Sequence, residues 1–280
     1  MNKTRAEQSN LHEPLTNHRK KVIIVNCIVT IFLIAIYLGG LFIHEDKLAP
    51  KFSHVNLKPS LLHLFGTDWL GRDIFFRTMK GLSTSITIGV IAAGISAILA
   101  TILGTVSAIG SKTVLSAINW LINLVMGIPH MIFLILISFA CGRGMKGIML
   151  GIILTHWTNL ARVIQAEILQ IRSMHYISVA KKLGRSKLWI LKKHFLPQIV
   201  PQFIVGLILT FPHAIIHEAS ISFLGYGLSP EQASVGIILS ESMRYLSSGM
   251  WWLAVFPGLT LVCIVLLFDK LGENFMKLKR

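Results

Sequence analysis

Two histidines spaced four residues apart are the side chains in this 280-residue chain best suited to bind a metal ion. His213 and His217 belong to one apolar segment, and Glu218 follows directly. Residues four apart share one face of a helix, and neutral imidazole is a good ligand for Ni²⁺, Zn²⁺ and Cu²⁺. The spacing predicts a weak, transient metal site. The alternative is that both rings only form hydrogen bonds with neighbouring helices.

The elements that carry these histidines are long and apolar. Hydrophobic residues make up 53% of the chain and charged residues 14%, against roughly 25% charged in ordinary globular proteins. A membrane-spanning helix needs about 20 apolar residues. Five longer stretches have no Asp, Glu, Lys or Arg: 22–44, 81–111, 113–142, 194–217 and 245–268. The chain is therefore predicted to be an all-α polytopic membrane protein, and this composition excludes disordered, collagen-like and disulfide-scaffold classes.

Six membrane crossings account for the apolar stretches and the glycine and proline positions. The predicted crossings are 22–43, a part of 81–111, 114–138, a helix from Gly147 past Arg162, a helix from Gln198 to Leu224, and 250–268. Six crossings bring both termini to one side. If 1–21, Lys112, 162–193 and 270–280 are inside, they hold 18 of the 27 Lys and Arg residues. Cytoplasmic loops collect these residues, so we expect both termini in the cytoplasm and no role for nucleic acid.

Small and ionisable residues inside the crossings have different expected roles. A stripe of small side chains predicts close helix packing; its members are Ser85, Gly89, Ala93, Ala97, Ala100, Gly104 and Ala108. Ionisable groups at membrane depth are costly and often mark a transport path. His156 could face the same path as His213, His217 and Glu218. The alternative for His156, and the expectation for His130, is a hydrogen bond to a neighbouring helix.

A basic segment between the fourth and fifth crossings has a distinct local pattern. From Tyr176 it reads YISVAKKLGRSKLWILKKHFLPQIVP. Apolar residues at helical spacing precede Gly184, which should end the first helix, and Ser186 can cap a second short amphipathic helix. Pro197 is tolerated in the first turn of the next crossing. Such a segment could dock into a groove on a soluble partner or lie on anionic lipid.

This segment resembles the "EAA" loop of ABC importer permeases, and three more motifs resemble the dipeptide, oligopeptide and nickel branch of that family. The loop residues are Ser178-Val179-Ala180, Gly184 and His194-Phe195-Leu196-Pro197; the other motifs lie at 65–73, 218–225 and 251–273. In order along the chain, they cover about residues 60–275. One departure is Ser178, which stands where the family's triplet usually has Glu.

The resemblance implies a type I importer permease that works with several partners. These are a second, homologous permease subunit, two ABC ATPase subunits, an extracytoplasmic solute-binding protein and the lipid of a bacterial cell membrane. The implied ATPase-coupling residues are Ser178, Val179, Ala180, Gly184, Leu188, His194, Leu196 and Pro197. Residues 1–80 would form a tail, the first crossing and an outer loop. Residues 81–280 would form a five-helix core with coupling helices at about 176–193.

The predicted cargo is nickel or a nickel chelate, with dipeptides or oligopeptides as the alternative. The nickel preference rests on the resemblance of the His213 and His217 spacing to nickel-transporting members. The chain has no G-x-x-x-x-G-K-[ST] motif, so it should not hydrolyse ATP itself, and no cofactor is expected. A stand-alone channel or secondary transporter is a further alternative, but the inverted repeats typical of many such transporters do not occur.

Overall fold

The computed structural model describes the backbone of residues 3–279 and the side chains of residues 19–277. Within this range the chain is nearly all helical, and its β pairing is a single bridge between Thr67 and Asp73. The helices are α1 (Lys3–Leu41), α2 (Ile74–Ile109), α3 (Lys112–Gly127), α4 (His130–Ala140), α5 (Gly144–Ser173), α6 (His175–Lys182), α7 (Lys187–Ile190), α8 (Leu196–Phe223), α9 (Val235–Ser242) and α10 (Trp252–Lys279). The side chains of Lys3, Arg5, Lys279 and Arg280, which entered the charge count, lie outside the described side chains.

In the part of the chain that the structure describes, five helices are long and apolar enough to cross a membrane, which confirms the polytopic all-α prediction. The third predicted crossing, 114–138, is wrong as one continuous helix, because α3 and α4 meet at an angle of 96°. Pro129 causes the break: the residue before a proline is disfavoured in helical conformation, and Ile128 is extended with ψ 134°. The bent pair makes a sixth crossing if it counts as one span.

Helix α2 lies at the centre of the bundle, packed on α1, α5, α8 and α10. The predicted stripe of small residues is buried on this helix, as expected for close packing in lipid. At Gly104 the contact with α5 is so close that a Cβ atom would lie 2.7 Å from the carbonyl oxygen of Ala161. Helix α1 lies at the periphery, where Asn274 of α10 donates a hydrogen bond to Asn26 at 2.8 Å.

The helix boundaries differ from the prediction at the outer side. Helix α2 begins at Ile74, before the uncharged stretch that starts at residue 81, because Asp73 caps it and the charge on Arg77 is paired. Between the fifth and sixth crossings the chain forms α9, which was not predicted. Gly236 of α9 lies against the backbone of Ala219, and no side chain would fit between them. Helix α9 thereby joins α8 to α10.

Candidate functional site

A cavity of about 760 Å³ opens between the α3–α4 break, α5 and α8. His156, His213 and His217 line it together with His130. The role of the first three in a translocation path stays a prediction. Its other polar lining residues are neutral: Thr155, Thr158, Asn159, Gln202 and Thr210. Among the described residues, none of the lining side chains carries a formal charge. The cavity thus presents uncharged hydrogen-bonding groups set among apolar ones.

Three histidines from three different helices meet at this cavity. The ring centroids of His130 and His156 lie 4.8 Å apart, those of His130 and His217 4.6 Å, and those of His156 and His217 5.1 Å. One nitrogen from each ring lies within 4.8 Å of the other two. His213 lines the same cavity outside this cluster, so the structure groups His217 with His130 and His156. The metal role predicted for His213 and His217 as a pair stays a prediction.

The orientation of His156 is set within its own helix. Its Nδ1 lies 3.1 Å from the carbonyl oxygen of Ile152 and 3.0 Å from Oγ1 of Thr155. A carbonyl can only accept, so Nδ1 carries the hydrogen and Nε2 of the neutral ring keeps its lone pair. His156 Nε2 is buried and has no hydrogen-bond partner within the described part of the chain. The expected hydrogen bond from His156 to a neighbouring helix is therefore not seen.

Glu218 lies away from the cavity, at the contact between α8 and α2. Its side chain is completely buried, where it accepts hydrogen bonds from Ser85 and from Ser222, the latter at 2.9 Å. Ser85 belongs to the stripe of small residues on α2. The structure therefore assigns Glu218 contacts that join two helices, and its predicted place in the translocation path stays a prediction.

The predicted helix, bend and helix of the basic segment are confirmed. Helix α6 ends at Lys182, and Gly184 just beyond it stops the helix with a φ of +74°, a left-handed conformation that favours glycine. Arg185 N donates to the Ala180 carbonyl at 3.1 Å, which closes this helix end. Ser186 caps α7 by accepting a hydrogen bond from Trp189 N at 3.2 Å. Local sequence thus determines both helix boundaries.

The same segment has one face packed on the bundle and one face exposed. Ile177, Ala180, Ile190 and Phe195 are buried in the cluster formed by α2, α5 and α8. The exposed fractions of Leu183 and Leu188 are 73% and 59%, and Ser178 and Val179 are also exposed. Two leucines project from a segment that also carries lysines. Such an apolar and basic face suits either a soluble partner or anionic lipid.

The remaining motif residues connect α7 to α8. Residues Leu191–Phe195 form a π-helical turn, so the chain continues without a break from α7 into the membrane helix. The ring of His194 lies 5.2 Å from that of Tyr176 and 5.4 Å from that of Trp189. Leu196 begins α8, and Pro197 occupies its first turn as predicted. Helix α7 thus runs through this turn into the helix that carries His213 and His217.

The outer motif around Asp68 forms a buried charge network. Asp68 Oδ1 accepts from the backbone N–H groups of Leu70 and Arg72, both at 2.9 Å. Asp68 Oδ2 accepts from Arg72 Nε at 2.7 Å and from Arg77 Nη1 at 2.9 Å. Arg77 also donates to Glu241 of α9 at 2.9 Å. The network ties the outer loop to α2 and α9.

Within this motif, local side-chain hydrogen bonds form one turn and the start of α2. Asp68 Oδ1 forms a side-chain-bonded turn with Leu70 N at 2.9 Å, and Asp73 accepts from Phe75 N at 2.8 Å to cap α2. Thr67 Oγ1 instead accepts from Leu57 N, ten residues earlier, at 2.8 Å. Sequence reasoning missed the pair between Arg77 and Glu241, which are separated by 164 residues. The only local signal was the apolar group Ile74-Phe75-Phe76 before Arg77, and Lys80 follows three residues later, so the sequence did not mark Arg77 as buried.

Comparisons with known proteins identify the family of this chain. Residues 85–278 match the family described as "Binding-protein-dependent transport system inner membrane component". The chain belongs to this family. The match confirms the resemblance carried by the four motifs, and this permease is therefore a multi-pass protein of the inner membrane and an ABC importer permease.

Two relatives from Bacillus subtilis (strain 168) match over most of this permease. The dipeptide transport system permease protein DppC is 31% identical over 91% of this chain and 80% of its own length. The oligopeptide transport system permease protein OppC is 32% identical over 88% of this chain and 80% of its own length. The permease thus belongs to the dipeptide and oligopeptide group.

A solved structure has the same fold. An inward-facing structure of the MetNI methionine ABC transporter aligns with a TM-score of 0.60 at 15% identity, covering 74% of this chain and 98% of that chain. The type I importer permease fold predicted from the motifs is therefore confirmed.

Proposed function

We propose that this permease forms half of the translocation path for dipeptides or oligopeptides that an extracytoplasmic binding protein delivers. The observation that carries the proposal is the match to DppC and OppC over 91% and 88% of the chain. These relatives favour peptides over the nickel cargo that the sequence motif suggested. Their names both refer to peptide transport.

The chemistry of the cavity supports a peptide cargo. A volume of about 760 Å³ in one subunit lies within the range of roughly 300–1,000 Å³ of small-molecule pockets. Neutral groups such as Asn159, Gln202 and Thr210 can donate to or accept from peptide amides. A wall without formal charges also does not discriminate strongly between acidic and basic side chains. The cavity therefore suits a cargo whose backbone is constant and whose side chains vary.

The basic segment supports the proposed coupling to ATPase subunits. Leu183 and Leu188 are exposed beside Lys181 and Lys187, and an amphipathic helix can lay such a face into a groove of a partner. In this proposal α6 and α7 are the coupling helices, and the coupling residues implied by the family resemblance act on that face or hold it on the bundle. Ser178 lacks the carboxylate of the usual triplet, so its contact is expected to be a neutral one.

The charge distribution supports the orientation and the division of the chain. The excess of Lys and Arg in 1–21, 162–193 and 270–280 places both termini and the coupling helices in the cytoplasm in our proposal. The family match begins at residue 85, which supports a core of residues 81–280 that follows a separate segment of residues 1–80. The second permease subunit would complete the path on the cavity side.

A reconstituted transport assay tests the proposal. The permease is purified with its co-expressed partners, inserted into proteoliposomes, and given ATP, binding protein and a radiolabelled dipeptide. We expect peptide accumulation that requires ATP. Leu188→Glu should release the ATPase subunits from the complex, because it puts a charge into an apolar contact. Leu62→Glu is the matched control: Leu62 is 89% exposed in the outer loop, and its change should leave the ATPase subunits bound.

Nickel is the second candidate cargo, since the cavity contains three histidines that could bind a metal ion. The same proteoliposomes given radioactive nickel in place of peptide separate the two candidates. ATP-driven nickel accumulation without peptide accumulation would contradict the peptide proposal. Uptake of either cargo that continues without ATP would contradict the importer mechanism as well.

A further inference from the structure

We infer that His130, His156 and His217 together form a binding site for one divalent transition-metal ion such as Zn²⁺, Ni²⁺ or Co²⁺. This metal site would be a property of the permease in addition to peptide import. Its existence does not depend on whether the transported cargo is a peptide or nickel. It also differs from the sequence-based pair, because His213 is not among its ligands. The three rings come from α4, α5 and α8, so the site exists only in the folded bundle.

The geometry brings three ligand nitrogens to one point. One nitrogen from each ring lies within 4.8 Å of the others, and the ring centroids are 4.6 to 5.1 Å apart. Ligands around a single ion with metal–nitrogen distances of about 2.0–2.1 Å lie at most about 4 Å from each other. A side-chain adjustment of under about 1 Å therefore brings all three into coordination.

The hydrogen bonds orient two of the rings for this role. His156 Nδ1 is held by the Ile152 carbonyl at 3.1 Å, which leaves its buried Nε2 with a lone pair and no partner in the described part of the chain. His217 Nδ1 lies 3.1 Å from Sδ of Met131, a weak acceptor, which favours the lone pair on the other ring nitrogen. Histidine ligands in metal sites commonly donate their second N–H to such a partner.

The charge and type of the surrounding groups select the class of ion. The cavity lining contains no Lys or Arg that would repel a cation, and it contains no carboxylate that would favour Ca²⁺ or Mg²⁺. Neutral imidazoles suit Zn²⁺, Ni²⁺, Co²⁺ and Cu²⁺. Three protein ligands leave a fourth position open to the cavity, as in catalytic rather than structural zinc sites. Such a site exchanges its ion more easily than a closed one.

Metal binding can be measured on the intact complex without any transport. The complex is purified through a tag that contains no histidine, stripped with EDTA and titrated with Zn²⁺ or Ni²⁺ alone, while the Co²⁺ absorption spectrum reports nitrogen ligation. We expect about one ion per copy of this permease. His130→Ala, His156→Ala and His217→Ala should each weaken binding by more than about tenfold, since even changes to outer-shell partners cost 10–100-fold.

The controls separate this site from the pair predicted from sequence. His213→Ala removes a histidine that lines the same cavity and should leave the affinity within about twofold. His156→Gln, which keeps the size of the side chain, replaces His156→Ala if the latter elutes as an aggregate. The inference is overturned if wild-type protein binds no ion or if His213→Ala weakens binding as much as His156→Ala. Peptide uptake measured in the presence of EDTA tests the proposed peptide import separately. The metal-site inference and the import proposal can therefore fail independently of each other.

Discussion

Replacing Asp68 by Asn should strongly destabilise the outer side of this permease. The carboxylate is completely buried and accepts hydrogen bonds from two backbone N–H groups and from the guanidinium groups of Arg72 and Arg77. Asn has nearly the same shape, so the change leaves no cavity. It does remove the negative charge and turns an NH₂ group towards donors. Arg77, which is 4% exposed, would then have only Glu241 as an anionic partner.

The expected magnitude follows from the burial of this network. Removing one partner of a buried ion pair costs about 3–5 kcal/mol because the other charge stays desolvated. For a domain of this size, 1 kcal/mol lowers the melting midpoint by roughly 2–4 °C. Asp68→Asn should therefore lower the midpoint by about 6–20 °C.

A matched control comes from an exposed ion pair of the same chain. Lys270 and Glu273 lie 3.3 Å apart, but their side chains are 53% and 54% exposed. Exposed pairs contribute about 0–1 kcal/mol, so Glu273→Gln should lower the midpoint by less than about 4 °C. Both variants remove one carboxylate charge, and only the burial of the pair differs.

The assay is thermal unfolding of the purified complex in one detergent. Samples are heated in steps, and the fraction that still elutes as the intact complex is followed by tryptophan fluorescence. Equal midpoint shifts for Asp68→Asn and Glu273→Gln would refute the reasoning. An unchanged midpoint together with lost stimulation of ATPase turnover by the binding protein would show that Asp68 takes part in docking the binding protein instead.

Two further substitution pairs test the packing of α2. Gly104→Ala should lower the free energy of unfolding relative to Gly94→Ala by about 1–3 kcal/mol through overpacking, seen as a lower melting midpoint. A Cβ at Gly104 would lie 2.7 Å from the Ala161 oxygen, whereas a Cβ at Gly94 meets nothing within 4 Å. Both changes raise helix propensity equally, so equal midpoints in heated gel filtration would contradict the packing. Glu218→Gln should retain most of the stability because an amide still accepts from Ser222. Glu218→Leu should lose about 1–3 kcal/mol for each buried hydroxyl left unpaired, and equal unfolding midpoints for these two variants would argue against that hydrogen-bonded contact.

Short-range features of this permease were predictable from the sequence because neighbouring residues determine them. Gly184 ends α6 since it adopts a positive φ, and Ser186 and Asp73 cap helices through bonds to residues two or three positions on. The break at Pro129 belongs to the same class, although the prediction treated 114–138 as one helix. The restriction that a proline places on the preceding residue explains it.

The composition of the candidate site was only partly predictable. His156, His213 and His217 were all expected near a transport path, and all three line the cavity. Their grouping was not predictable, since helical spacing pairs His217 with His213 while the structure brings it to His130, 87 residues earlier. The angle between α3 and α4 turns His130 towards α8. The spacing of residues along the sequence contains no information about the angles at which helices cross.

Sequence by itself determined that this chain lies in a membrane, where the helices of the basic segment are capped or end, and which family it resembles, because apolar run length, caps and motifs are local properties. Tertiary structure alone decided which polar residues share an environment. Glu218 follows His217 directly, yet its carboxylate lies against α2 while the imidazole faces the cavity. Adjacent residues on a helix point about 100° apart, and only the packing of the neighbouring helices decides what each of them meets.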